Sequence, residues 1–201
     1  KEKKIRSHKA VQVAEYYNKI LPQKLGEIAY EYGKRYNMAY TIVDVTGGYG
    51  ALTIEKLIEL GYVNMHYGEI SHKPTRDRLN GYIKTIQKTL PDGAISKVDL
   101  IPGFFLGNNR GSVLIEFQRC INMGDVIIRS TRLLEEIKTF ITVAGNRVAD
   151  HKRSFHDDSI MSTAMLLYSL YHELFKLGDS NEKIKKMLNA ITILAHNDVV
   201  E

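Results

Sequence analysis

One stretch, A-Y-T-I-V-D-V-T-G-G-Y-G-A-L-T-I-E-K-L-I-E-L-G-Y from Ala39 to Tyr62, does most to restrict what this chain can fold into. Its first seven residues form a nearly continuous apolar run, the pattern of a strand buried on both faces at the centre of an α/β sheet. Glycines 47, 48 and 50 break the run. Leu52, Leu57, Ile58 and Leu60 then mark a helix face closed by Gly61, and V-N-M-H-Y at 63–67 supplies a second strand. Strand, helix and strand in that order predict two parallel strands in one sheet, joined by a right-handed helical crossover.

The flanking sequence extends this unit. Residues 10–17 alternate as a strand would, and Pro22 suits the first turn of a helix, where its missing N–H would have been unpaired anyway. Leu25, Ile28, Ala29 and Tyr32 carry that helix to about Lys34. From Ser71 to Gly111 the prolines and glycines predict an insertion, a small hairpin plus a mobile loop at 103–111. Val113, Leu114, Phe117 and Ile121 mark a helix ending near Gly124, and 126–129 a short strand. Ser130 or Thr131 can cap a helix bearing Leu133, Leu134, Ile137 and Phe140. Residues 140–143 and 146–150 suggest a hairpin, and His156 opens a long helix with Ile160, Ala164, Leu167 and Tyr171 on one face. A capping box at 179–182 precedes a C-terminal helix within 178–201, with Ile184, Met187, Leu188 and Ile191 inward. The expectation is a single α/β domain over 1–201, with 71–111 inserted.

Size and charge narrow the function. A chain of 201 residues can bury one core, and no apolar run approaches the ~20 residues of a membrane span. The lone Cys120 cannot form an internal disulfide, and K-E-K-K is no secretory leader, so a reducing cytoplasm is expected. The start without methionine suggests a piece of something longer. A net charge of +5 favours an anionic partner weakly. The basic residues gather at Lys152 and Arg153, at Arg110, and between Lys73 and Arg78, including Arg76. These would hold a DNA backbone, or form a solvated basic face.

Two acidic positions stand out. Asp44 ends the predicted central strand, where open α/β sheets place their ligand sites, although an aspartate there can also hydrogen-bond its own turn. Asp157 and Asp158 open a helix, where carboxylates serve equally as caps. His156 precedes them, D-H-K-R at 150–153 lies just upstream, and small residues follow. Should that helix cross the strand bearing Asp44, the carboxylates meet. Without a cysteine pair or H-E-x-x-H, such a site suits Mg²⁺ or Mn²⁺ rather than zinc, and paired ions of this kind can hydrolyse a phosphodiester. His66 and His72 are lesser candidates. Tyr49 and Phe104 could stack on bases, with buried packing the commoner use of an aromatic.

In this order, V-A-E-Y-Y-N-K-I-L-P at 13–22, the turn from Asp44 to Gly50, I-E-L-G-Y at 58–62, I-P-G-F at 101–104, V-I-I-R-S-x-R-L-L-E-E-I-K-T-F-I at 126–141 and H-D-D-S-I-M-S at 156–162 resemble the C-terminal nuclease domain of the large terminase subunit of tailed bacteriophages. The resemblance covers most of residues 11–172, and R-L-L-x-E-x-K-T-F and the H-D-D helix are its most specific parts. It implies a ribonuclease-H-like mixed sheet flanked by helices, and a Mg²⁺- or Mn²⁺-dependent endonuclease cutting concatemeric double-stranded DNA in the cytoplasm of an infected bacterium. It also implies partners: the terminase ATPase domain, the small terminase subunit and the portal. The middle metal-binding acid would fall on Asp44 and the last on Asp158, with Asp157 second. The family places glutamate at the middle acid, and alignment on Gly50 puts that position at Val45. Asp44 therefore implies a one-residue shift, which a bulge at Val45–Thr46 would absorb. The family's first acid lies ahead of V-A-E-Y, so weak metal binding and little cutting are expected of this chain. No G-x-x-x-x-G-K-[ST] occurs, which puts ATP hydrolysis elsewhere.

Two rivals belong to other classes. V-D-V-T-G-G-Y-G-A, a helix and a strand ending H-Y-G-E also resemble the cofactor loop of S-adenosylmethionine-dependent methyltransferases. Gly47, Gly48 and Gly50 would then admit the cofactor, and Glu69 would hold its ribose. The other rival is a non-catalytic DNA- or portal-binding module of the same fold.

Overall fold

A computed structural model describes residues 9–70, 78–90, 93–142, 149–151 and 156–170. In chain order its elements are β1 (Ala10–Val11), α1 (Pro22–Arg35), α2 (Tyr49–Glu59), β2 (Tyr67–Ile70), β3 (Lys84–Thr89), β4 (Ile95–Pro102), α3 (Arg110–Asn122), β5 (Val126–Ile127), α4 (Thr131–Thr139), β6 (Phe140–Thr142), β7 (Ala149–His151) and α5 (Asp158–Tyr168). Short 3₁₀ turns lie at Arg78–Tyr82 and Gly107–Asn109. The architecture is α/β, with one parallel strand pair and a three-stranded antiparallel sheet. The described residues form two compact units, 19–107 and 9–18 with 108–170.

In the unit of residues 19–107, α1 starts at Pro22 as its sequence predicts. It lies against α2 at Gly26 and against Tyr62, just beyond α2, at Gly33. A Cβ on Gly26 would stand 2.8 Å from the Lys56 Cβ, and one on Gly33 would strike the Tyr62 ring. Glycine inside a helix costs about 1 kcal/mol against alanine, and here close helix approach explains its use. Val45, Ala51, Ile54, Leu79 and Ile101 make one core cluster, and Leu57, Tyr62 and Met65 another.

The run from Ala39 to Val45 is extended, but it is not the doubly buried central strand its composition predicts. Every residue except Val45 is half-buried. Thr41, Val43 and Val45 are spaced by two and so turn their backbone groups to the same edge. Thr41 bonds to Asn64 and His66 there, and Val43 and Val45 bond to Phe104. The expected parallel relation survives as the isolated bridge Thr41↔Met65, and a second parallel bridge, Asp44↔Phe104, was not expected. Beyond Met65 the chain leaves this edge to form β2, later than the predicted 63–67, and pairs antiparallel with β4.

The expected hairpin is β3 with β4, in register from Lys84↔Leu100 to Thr89↔Ile95. The expected loop at 103–111 is instead tied down. Gly103 and Phe104 bridge Tyr67 and Asp44, and α3 begins at Arg110.

In the other unit, β1 pairs parallel with β5, Ala10 opposite Val126 and Val11 opposite Ile127. The strand predicted over 10–17 stops at Val11, because β5 offers only two residues before the chain turns into α4. Gln12 closes the pair, its Oε1 accepting from the Arg129 and Ser130 N–H groups at 3.1 and 3.0 Å. Helix α3 ends before Gly124, whose φ is 66°. Ser130 caps α4, its Oγ accepting from Leu133 N–H at 2.9 Å. Phe140 opens β6 rather than extending α4, and β6 pairs with β7. Helix α5 packs on α3 and α4 with Ile160, Ala164 and Leu167 buried. Tyr171 and the helix predicted within 178–201 lie outside the described residues. Among the described residues no helix is long and apolar enough to cross a membrane.

Candidate functional site

The Asp44 turn is built from short-range bonds. Asp44 Oδ1 accepts from the Thr46 N–H at 2.9 Å, and Thr46 Oγ1 accepts from Leu106 N–H at 2.9 Å and Gly107 N–H at 3.3 Å. Gly47 and Gly48 have φ of 80° and 88°, the left-handed region that costs other residues energy. Gly50 is required for a different reason, because a Cβ there would overlap the Asp44 carbonyl oxygen. Val45 belongs to the core at 7% exposure, while Asp44 is half-buried with its Oδ2 unbonded among the described residues.

Behind the turn, Phe104 is buried against His66, ring centroids 5.5 Å apart. The His66 Nδ1 lies 2.9 Å from the Tyr40 hydroxyl, and burial holds its imidazole down to about 4. His66 is therefore a neutral core residue at physiological pH. Tyr49, by contrast, is exposed.

The start of α5 is organised by a residue from another helix. Asp157 holds the N-cap position but makes no side-chain cap bond; its carboxylate pairs with the Arg110 guanidinium instead. The free helix amides go to Glu136 of α4. Its Oε2 accepts from Ser159 N–H at 2.8 Å and Ile160 N–H at 3.1 Å, and its Oε1 from the Ser159 hydroxyl at 2.9 Å. Arg132 backs the same oxygen from Nε at 3.2 Å and Nη2 at 3.1 Å. This corrects the capping alternative for the aspartate pair. Asp158, one residue into the helix, is exposed and makes no hydrogen bond or ion pair among the described residues.

Glu136 was not predicted as a site residue, although it is the E of the R-L-L-x-E-x-K-T-F segment. Nothing in local spacing links it to Ser159, 23 positions away. Arg110 is the basic candidate whose contacts are described. Lys73, Arg76, Lys152, Arg153 and His72 lie outside the described residues. Glu69, the ribose ligand of the methyltransferase reading, pairs with Lys88 at 2.5 Å. The Cys120 thiol is buried and pushed up to about 11, chiefly by that burial, which suits packing rather than nucleophilic attack.

Asp44 thus belongs to one compact unit and Asp157, Asp158 and Arg110 to the other. Among the described residues no three His, Cys, Asp or Glu side chains are grouped to hold a metal ion. No protein-family model, no curated protein and no solved structure matches the chain.

Proposed function

We propose that this chain is the endonuclease part of a viral DNA-packaging terminase, a ribonuclease-H-like domain that cuts concatemeric double-stranded DNA in the cytoplasm of an infected bacterium. The observation that carries the proposal is the state of Asp158. A carboxylate in the first turn of α5 is left exposed and unpaired among the described residues, while Glu136 satisfies the helix and Arg110 occupies Asp157. The helix has no structural need of it. The ordered segments resembling terminase nucleases, H-D-D above all, supply the rest of the support.

The Asp158 carboxylate is a hard oxygen donor of the kind Mg²⁺ or Mn²⁺ takes, and so, in the other unit, is that of Asp44. Such ions use one or two carboxylates together with waters and substrate phosphates, so a protein cage of three groups is not required. When bound, the ion supplies an activated water and a stabilised leaving oxygen. The chain's own residues orient the substrate. Asp44 is held by its turn, Arg110 fixes Asp157, and Lys73, Arg76, Lys152 and Arg153 provide phosphate contacts. The ATPase domain, small subunit and portal are the proposed partners.

The test combines Mn²⁺-dependent binding to a DNA duplex with nicking of supercoiled plasmid. The expected result is EDTA-sensitive binding and slow nicking, both lost in Asp158→Ala. DNA binding indifferent to EDTA and to Asp44→Ala and Asp158→Ala would identify a non-catalytic module, and tight S-adenosylmethionine binding without a metal effect would identify a methyltransferase.

A further inference from the structure

We infer that Glu136 is the positioning residue for the Asp157–Asp158 pair. This rests on the reading of that pair as cation ligands. A helix N-terminus attracts whichever carboxylate can reach its free amides, and an aspartate at the N-cap or in the first turn is the ordinary occupant. In α5 that place is taken. Glu136, 9% exposed, fills it with both oxygens, bonding the amides of Ser159 and Ile160 and the Ser159 hydroxyl. Its own aim is fixed by Arg132, one turn earlier on α4.

Two consequences follow for the aspartates. Neither is drawn back onto the helix end, so Asp157 stays with Arg110 and Asp158 is exposed, its oxygens unpaired among the described residues. The buried negative charge of Glu136 also makes it unfavourable for either aspartate to swing inward. Without Glu136 the vacated amides would compete with a cation for the same carboxylates. Glu136 touches neither metal nor DNA in this role; it acts by occupying the site its neighbours would otherwise take.

The test is a Mn²⁺ titration of the full chain followed by electron paramagnetic resonance, with folding checked by circular dichroism. Asp158→Ala should abolish binding, and Glu136→Ala should weaken it roughly 10- to 100-fold, the size seen when a residue supporting a metal ligand is removed. Glu136→Gln keeps an oxygen for the amides and should restore most of the affinity, which a direct ligand role would forbid. Leu133→Ala removes a fully buried side chain from the same helix and should lower thermal stability without changing Mn²⁺ affinity.

Should Glu136→Ala not fold, Ser159→Ala carries the test, with a loss of about threefold from a looser Glu136. Full Mn²⁺ affinity in a folded Glu136→Ala, or in Ser159→Ala where that variant carries the test, would overturn the positioning role while leaving the ligand role of Asp158 intact. Loss of binding in Glu136→Gln as severe as in Glu136→Ala would replace positioning by direct ligation. No Mn²⁺ binding by the unaltered chain would overturn the ligand reading, and the inference with it.

Discussion

Helices α2 and α5 each follow an aspartate in the chain, Asp44 in the turn before α2 and Asp157 at the start of α5, and the surroundings of the two are arranged by different solutions. At α2 the solution is local. Asp44 bonds Thr46 two residues on, and glycines 47, 48 and 50 let the backbone turn tightly into the helix. At α5 the solution is tertiary, because Glu136 crosses from α4 to take the amides. The bond to Thr46 ties the Asp44 carboxylate to the turn ahead of the helix. A borrowed cap releases the carboxylates beside it, and that release is what makes Asp158 the better candidate for chemistry.

The largest expected effect breaks the local solution. Gly50→Ala places a Cβ on the Asp44 carbonyl oxygen, and the backbone of a packed turn has to move, at a cost of about 3 kcal/mol or more in urea unfolding. The matching change at α5, Ser159→Ala, removes one hydroxyl bond to Glu136 and should cost about 1 kcal/mol. Equal costs would mean that the two helix starts are equally tolerant and that the contrast is wrong.

Acid should separate the regions next. His66 packs on Phe104, which bridges Asp44, and burial lowers its imidazole from the ordinary 6.5 to about 4. Above pH 6.5 it is neutral folded or unfolded, and stability is unaffected by it. Between 6.5 and about 4 the unfolded chain takes up a proton that the folded one refuses, so stability falls, by about 3 kcal/mol in all. Below that both forms are protonated and the loss stops growing. The difference between the urea midpoints of the protein and of His66→Phe, followed against pH, isolates this contribution; a flat difference across that window would contradict it.

Asp44→Ala should be milder, about 1 kcal/mol for one lost bond to a backbone amide, with Asp44→Asn costing less because it keeps an acceptor. Thermal melts of both variants check the order.

These contrasts also mark what the sequence could disclose. The start of α1 at Pro22, the Ser130 cap and the Gly61 and Gly124 helix ends rest on neighbours in the chain, and each appears where local chemistry puts it. The length of a strand depends on its partner. Residues 10–17 alternate well enough, yet β1 stops at Val11 because β5 is short. The apolar run before Asp44 is bonded along a single edge for a similar reason, as its neighbours come from 64–66 and then from Phe104. Gly26 and Gly33 look like helix weaknesses until α2 and the Tyr62 ring beyond it are placed against them. At the candidate site, the twin aspartates could be read from the chain, but their release could not. It depends on a glutamate more than twenty positions away whose pattern signals a helix face and nothing more.

The smallest expected effect is the most discriminating. In an ordinary helix the first-turn Asp158 would contribute about 0.3–1 kcal/mol through the helix dipole. With the Glu136 carboxylate already on the amides, its attraction is offset by repulsion, and Asp158→Ala should change stability by no more than about 0.5 kcal/mol either way. In a Glu136→Ala background the amides are vacant and the repulsion is gone, so Asp158 recovers its full attraction to the helix start and the same substitution should cost about 1 kcal/mol. The double-mutant cycle therefore has a definite sign, with the second substitution more harmful once the first is made. An Asp158→Ala cost near 1 kcal/mol in the otherwise unaltered protein, independent of Glu136, would show that Asp158 is bound to its own helix as Asp44 is to its turn, and the distinction between the two helix starts would disappear.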